Sequence, residues 1–442
     1  MNIEKFVKNQ HELLNSEREQ EEQMLKDSHR LSLTLCEVET DITGNYLVNL
    51  RYKGEKAALE KRGGGSLLSV GTCVSLNEKG REPLEGVIKT IENKSITVSM
   101  KNFYDDWYQN NVDSLEMCLV PDETTYKRYK MVLNDLQQSP NLNYCKRIVN
   151  VAFDGDKPER EPMSPISKYF NNYLNETQKE AIEFALSTKD ISLILGPPGT
   201  GKTTTVVEII KQAVFLCKLR VLVVAPSNVA IDNIVERLDD GKKPKMVRLG
   251  HPARLMDSVA KHSLDYLLSH GEGSKVVADI KKEMNSIMSK LSKIKVKSKK
   301  RELWGEMKLL RKDLRSREKQ AVKDIVKLSQ VVLCTCSGAY AYTVRNTQFD
   351  LVVIDEAAQA LEVASWLALI RGQRAILAGD PFQLSPTIMS PLAEKNGLGV
   401  TLFERLYNKH KKDISHMLTT QYRMNSQIMQ SILCTYSKTN KI

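Results

Sequence analysis

The sequence predicts an α/β protein built on a parallel sheet, to which a small antiparallel β-barrel, an N-terminal stalk helix and a helical insertion are added. Three observations carry this prediction. From residue 174 onward, short apolar runs alternate with helical stretches, the pattern of a doubly wound sheet. Before that point, residues 32–121 hold short alternating runs with no helix between them, the pattern of a small barrel. The interval 255–328 is too long for a simple crossover, and its middle is charged and helically spaced.

In chain order, residues 1–31 read as a polar, mostly exposed helix, because Phe6, Leu13 and Met24 give only a weak apolar stripe. The runs Tyr46–Tyr52, Thr72–Leu76, Gly86–Ile91 and Ser95–Met100 are the barrel strands. Glu92-Asn93-Lys94 joins the last two as a hairpin turn, and Gly63–Gly65 marks a loop. Residues 122–172 form a helix and then a linker carrying Pro158, Pro162 and Pro165. The α/β domain spans 173–392, with strands at Ile191–Leu195, Val221–Ala225, Val331–Cys334, Leu351–Ile354 and Ala375–Leu377. Its insertion, about 255–328, reads as a helical hairpin with Leu303, Leu309, Leu310 and Leu314 at roughly helical spacing. Residues 393–442 are expected to begin a second α/β domain.

The 442 residues are 41% hydrophobic and 27% charged, a composition that excludes a wholly disordered chain. No apolar run approaches the roughly 18 residues of a membrane helix. The first thirty residues lack a secretory apolar segment, so a cytoplasmic location, with the nucleus as a second site, is expected. Eight scattered cysteines, with only Cys334 and Cys336 close together, suit reduced and mostly buried thiols rather than zinc or disulfides. The net charge of +11 is concentrated: residues 281–320 hold 15 Lys/Arg against 5 Asp/Glu. This lopsided run reads as a phosphate-binding surface, with a solvated helical face as the alternative. Trp304 is its lone aromatic, so base stacking is not its task.

Gly196-Pro197-Pro198-Gly199-Thr200-Gly201-Lys202-Thr203 follows a strand and opens a helix, with Thr204 continuing it. This is the phosphate-loop pattern. Its glycines bring backbone N–H groups to the phosphates, Lys202 reaches the β/γ-phosphates, and Thr203 holds Mg²⁺. Asp355 and Glu356 close the strand Leu351–Ile354; Asp355 is the metal-side carboxylate and Glu356 the candidate base. ATP and Mg²⁺ are the expected cofactors. A GTPase is disfavoured, because Asn408-Lys409-His410-Lys411 lacks the aspartate of a guanine reader. A small-molecule kinase or AAA-type machine is disfavoured by the motifs that follow.

Leu174–Gln178 precedes the first strand of the sheet. Ala225–Asn233, Gly379-Asp380-Pro381-Phe382-Gln383-Leu384 and Gln421-Tyr422-Arg423-Met424 come after its strands. In this order the set resembles the Upf-like group of superfamily 1 helicases, most of all the immunoglobulin mu-binding-protein subgroup. Gly250–Arg254 shares that likeness. The resemblance implies a RecA-like ATPase domain and ATP-dependent, 5′-to-3′ translocation on single-stranded RNA or DNA. It implies that Gln178 reads adenine, Tyr422 stacks on it, Arg423 touches the γ-phosphate and Gln383 senses it. Ser227, Asn228, Thr335, Ser337 and Gly338 would line the nucleic-acid track through sugar–phosphate contacts. A ribosome or ribonucleoprotein is a further expected partner.

Two departures shape the expectation. Phe382 stands where these helicases usually carry a basic residue. The later arginine-bearing segments of the second RecA-like domain do not occur before Ile442. Weak hydrolysis by this chain alone is therefore expected, with a non-motor nucleic-acid binder as the alternative.

Overall fold

A computed structural model describes residues 2–26, 30–40, 46–52, 68–78, 80–104, 107, 115–138, 142–250, 255–271, 274–293 and 297–425. The expected Gly63–Gly65 loop and residues 251–254 of the Gly250–Arg254 segment lie outside these residues, as do 426–442.

Helix α1 (Ile3–Lys26) leads into six strands: β1 (Leu31–Thr40), β2 (Tyr46–Tyr52), β3 (Cys73–Asn77), β4 (Leu84–Ile91), β5 (Ser95–Met100) and β6 (Leu115–Leu119). They close a barrel in the order β1-β2-β5-β4-β3-β6, and every pairing is antiparallel. Alternation explains the closure. In β2, Tyr46, Val48, Leu50 and Tyr52 point inward while their neighbours face out, and β6 repeats this with Leu115, Met117 and Leu119. The β4–β5 hairpin turns where the sequence predicts, with Glu92 N–H donating to Ser95 O at 2.8 Å.

Helix α2 (Glu123–Gln137) is capped by Asp122, whose carboxylate accepts from Thr125 N at 3.2 Å. A short helix, α3 (Lys146–Val149), and one widened turn (Asn150–Asp154) follow. The α/β domain then runs α4 (Glu176–Leu186), β7 (Ile191–Leu195), α5 (Lys202–Phe215), β8 (Val221–Ala225), α6 (Asn228–Leu238) and β9 (Met246–Arg248). The insertion holds α7 (Leu264–His270), α8 (Ser274–Lys293) and α9 (Lys297–Leu328). The chain returns through β10 (Val331–Thr335), β11 (Phe349–Ile354), α10 (Glu362–Leu369), β12 (Gly372–Gly379), α11 (Pro391–Lys395), α12 (Leu402–His410) and β13 (Ser415–Met417).

The sheet is parallel, ordered β13-β7-β12-β11-β8-β10-β9. Its interior strands β7 and β8 are buried at every residue, because helices cover both faces. The sequence shows five of the seven strands. The two it misses, β9 and β13, are three-residue edge strands too short to carry a periodic signal.

Two expectations are corrected. Residues 393–418 do not open a second domain. Leu398, Leu402, Phe403, Leu406, Ile414 and Leu418 are buried in the cores on the two faces of this same sheet, and β13 pairs with β7. The stalk helix is also docked rather than mostly exposed. Phe6, Val7, Leu13 and Leu14 are buried, Phe6 lies 5.2 Å from Phe153, and of the expected stripe only Met24 faces solvent. The Pro-rich stretch lies on the domain, with Glu161 N–H donating to Ser187 O at 2.7 Å. Helices α8 and α9 form the expected hairpin around Ile280, Met284, Ile287, Leu291, Met307 and Leu314, with Leu309 exposed. Among the described cysteines all are free, but only Cys145, Cys334 and Cys336 are buried. Burial pushes the Cys334 and Cys336 thiols up to about 12, so they are inert. Among the described residues no helix is long and apolar enough to cross a membrane.

Candidate nucleotide site

In parallel α/β sheets, ligands gather at the carboxyl ends of the strands. Here the ends of β7 and β12 adjoin: Gly196 N–H donates to Gly379 O at 3.0 Å. The chain leaving β7 turns through Gly199 (φ +78°) and Gly201 (φ +81°) before α5 begins. Both need glycine. A Cβ on Gly201 would sit 2.5 Å from Gln178 Nε2, and one on Gly199 would sit 2.7 Å from Arg423 Cβ. Thr200 pins the turn between them, its hydroxyl donating to Pro197 O at 2.7 Å. Pro197 and Pro198 precede the turn, and Thr203 and Thr204 follow Lys202 in the first turn of α5.

Three charged groups meet here. Lys202 Nζ lies 2.8 Å from Glu356 Oε2, and the lysine is almost fully buried. Glu356 adopts φ +53°, a left-handed conformation that costs a non-glycine residue about 1–3 kcal/mol. Its N–H donates to Asp355 Oδ1 at 3.0 Å, and Gln359 Nε2 donates to its carboxylate at 3.2 Å. Burial pushes the Asp355 carboxyl up to about 6; Lys202 opposes this shift and Glu356 adds to it. A buried aspartate with a raised pKa is poised to gain from a nearby cation. Arg237, from α6, donates to Thr204 Oγ1 at 3.2 Å and adds positive charge on the same side.

Gln178 and the 421–424 segment both bond to the loop. Asn175 caps α4 and Gln178 returns the bond, its Oε1 accepting from Asn175 N at 3.1 Å. The other end of the Gln178 amide donates to Thr200 O at 3.1 Å, so this side chain ties α4 to the loop. Tyr422 N–H donates to Gly199 O at 2.8 Å, while its exposed ring carries a hydroxyl that accepts from Asn175 Nδ2 at 2.7 Å. Arg423 is exposed, its backbone N–H held by Gln421 Oε1 at 2.8 Å. Gln383 is exposed beyond β12, with its Nε2 donating to Asp380 Oδ2 at 2.7 Å. A cavity of about 870 Å³ runs beside α5, lined among others by Tyr169, Phe170, Tyr173, Thr204, Glu208 and Phe215.

The expected nucleic-acid residues lie at the ends of the neighbouring strands β8 and β10. Ser227 caps α6 and accepts from Ala230 N at 3.2 Å. Asn228 Oδ1 accepts from Arg248 Nη2 at 2.9 Å. Thr335 Oγ1 accepts from Gly338 N at 3.2 Å. Ser337 is engaged from outside the domain: Arg128 Nη1 donates to its carbonyl at 2.9 Å, and Thr125 Oγ1 lies 3.0 Å from its hydroxyl.

Comparison with known proteins adds the lineage. Residues 173–391 match the AAA domain family. The "DNA-binding protein SMUBP-2" of Mesocricetus auratus is 39% identical over 451 residues, covering 96% of this chain and 45% of that protein. The chain belongs to the Upf-like group of superfamily 1 helicases. Another relative in this helicase group is the "DNA polymerase alpha-associated DNA helicase A" of Schizosaccharomyces pombe. It is 35% identical over 90% of this chain and 61% of its own length. The "Regulator of nonsense transcripts 1 homolog" of Arabidopsis thaliana is 34% identical over 58% of this chain and 19% of that protein. The chain spans less than half the length of the SMUBP-2 relatives it matches.

Several residues of this chain escape motif reading. Arg248 is wholly buried, bonded to Asp232 at 2.8 Å and to Leu249 O, and it positions Asn228. Its signal was a charge inside the apolar run Met246–Leu249, which burial tolerates only when paired. Asn175 was legible as half of a capping box. Arg237, Arg128 and Thr125 carried no local signal, because their partners are distant in sequence.

Proposed function

We propose that the chain binds ATP with Mg²⁺ and couples its hydrolysis to 5′-to-3′ movement on single-stranded RNA or DNA. The observation that carries this reading is the Lys202–Glu356–Asp355 constellation under a glycine loop that Tyr422 N–H bonds directly. In this reading the donor set fits the metal: Thr203 supplies a hydroxyl and Asp355 a buried carboxylate, both hard oxygen ligands. Bound there, Mg²⁺ would neutralise charge on the phosphates. Lys202, now paired with Glu356, would exchange that carboxylate for phosphate oxygens. The exchange would release Glu356 to orient or deprotonate water. Arg423, Gln383 and Tyr422 would complete the site around the γ-phosphate and the base, and Gln178 would hold the loop in the shape that receives them.

The basic helical hairpin and the small polar groups at Ser227, Asn228, Thr335 and Gly338 would contact the strand backbone. Relatives named as DNA-binding and as DNA helicases support a nucleic-acid substrate.

The test is the ATPase rate of the full chain with and without single-stranded RNA or DNA. Slow, strand-stimulated turnover is expected, reduced by about 10²-fold or more in Lys202→Ala and Glu356→Gln. Nucleotide binding with no turnover under any strand would overturn the motor reading and leave a nucleic-acid binder in its place.

A further inference from the structure

Glu17 lies in the middle of the charged helix α1, where a solvated side chain is the ordinary outcome, yet only 7% of it is exposed. Its carboxylate takes two backbone donors: Met389 N–H at 2.7 Å and Ser390 N–H at 2.8 Å. Beside it, Ser16 Oγ lies 3.0 Å from Ser390 Oγ, and Ser390 caps α11 by accepting from Ala393 N at 3.2 Å. A buried carboxylate accepting two N–H groups makes charge-assisted bonds roughly twice as strong as neutral ones.

The segment held this way is the one that carries Gln383. It leaves β12 at Gly379 and is fastened at its start by Asp380, which accepts from Phe382 N at 3.1 Å and from Gln383 Nε2. It is fastened at its far end by Glu17. Between the two clamps Gln383, Leu384 and Ser385 are exposed.

The same helix reaches a second loop. Helix α1 is joined to α2 by Arg18–Glu123 at 2.6 Å and by Tyr126 OH donating to Glu21 at 2.8 Å. Helix α2 in turn grips the loop after β10 through Arg128 and Thr125 on Ser337, and through Tyr340 OH donating to Asp135 at 2.5 Å. One helix pair therefore holds both the loop after β10, which the proposed function assigns to nucleic acid, and the loop after β12, which it assigns to the γ-phosphate.

We propose that Glu17 is a positioning residue that couples nucleic-acid binding to nucleotide binding, by fixing the 380–390 loop to the α1–α2 pair. The proposal rests on the functional reading above. Coupling between two ligands is reciprocal and is read from binding alone, without turnover.

The experiment measures the affinity of the full chain for a fluorescent oligothymidylate with and without a magnesium-bound, non-hydrolysable ATP analogue. The unmutated chain is expected to show a change of about fivefold or more. In Glu17→Gln, which keeps one acceptor oxygen, and in Glu17→Ala, that factor is expected to fall below about twofold. Each separate affinity should stay within about twofold of the parent. Amide exchange at Met389 and Ser390 should speed up, with the other loops unchanged. An undiminished factor in Glu17→Gln overturns the proposal, whether or not Glu17→Ala folds. So does parallel loss of all three quantities with a drop in melting temperature, which would mark a merely structural residue. Failure of the unmutated chain to bind the analogue sinks the functional reading, and is recognised before any variant is made.

Discussion

The barrel and the α/β domain bury different things. Among the described residues, the barrel core takes in the polar side chains Ser75 and Ser99 and no charged one. The α/β domain buries Lys202, Asp355, Glu208, Asp232, Arg248, Glu362 and Asp380. Burying a charge is costly unless it is paired, so such groups persist where they hold structure or do chemistry. The two halves also solve the covering problem differently. Barrel strands alternate and close on themselves, so their polar edges are all used within the ring. The parallel strands are apolar on both faces and need helices on each side. This leaves their carboxyl ends open to receive loops from distant parts of the chain. The comparison teaches that the barrel is a self-contained packing unit, whereas the sheet exports its polar chemistry to one edge.

The largest expected effect breaks the charged side of this contrast. Arg248→Ala takes the cationic partner from the buried Asp232 carboxylate, which keeps the Met256 N–H as a donor, and it releases Asn228. A loss of about 3–5 kcal/mol in unfolding free energy is expected, measured by denaturant titration. An effect below 1 kcal/mol would show that the pair is not truly excluded from water.

The apolar side is broken by Leu50→Ala, which removes a wholly buried barrel side chain. It should cost about 2–5 kcal/mol in the same titration. Nucleotide affinity should hold within about twofold, because no barrel side chain has been placed at the phosphate loop. Equal loss of nucleotide binding would mean the barrel and the site are one cooperative unit.

The smallest effect sharpens the contrast through pH. Asp355 is raised to about 6 by burial. The folded state thus holds this proton more tightly than the unfolded chain, where an aspartate titrates near about 3.9. Its contribution to stability is present at low pH and is lost as pH climbs through about 6. In the proposed function magnesium would need the ionised form, so metal–nucleotide affinity would move the opposite way. It should be about tenfold weaker near pH 5 than near pH 7. The dependence should vanish in Asp355→Asn; if it survives there, another group titrates.

By itself the sequence determined a good deal of this protein. The barrel follows from period-two alternation at Tyr46–Tyr52 and Ser95–Met100. The central strands follow from uninterrupted apolar runs. The phosphate loop follows from glycines and a lysine within eight consecutive residues. All of these are local signals, written within one turn or one strand. Only the tertiary structure decided that Glu356 pairs with Lys202, 154 positions away, that Gln178 is tied to Thr200, and that Arg128 grips Ser337. It also decided that residues 393–418 return to the first sheet and that α1 is docked through its apolar side chains. The first rests on a three-residue strand and the second on Phe6, Val7, Leu13 and Leu14, and both are stabilised by partners distant in sequence. The three side-chain pairings close loops of 22, 154 and 209 residues, and no short window of sequence records which end meets which.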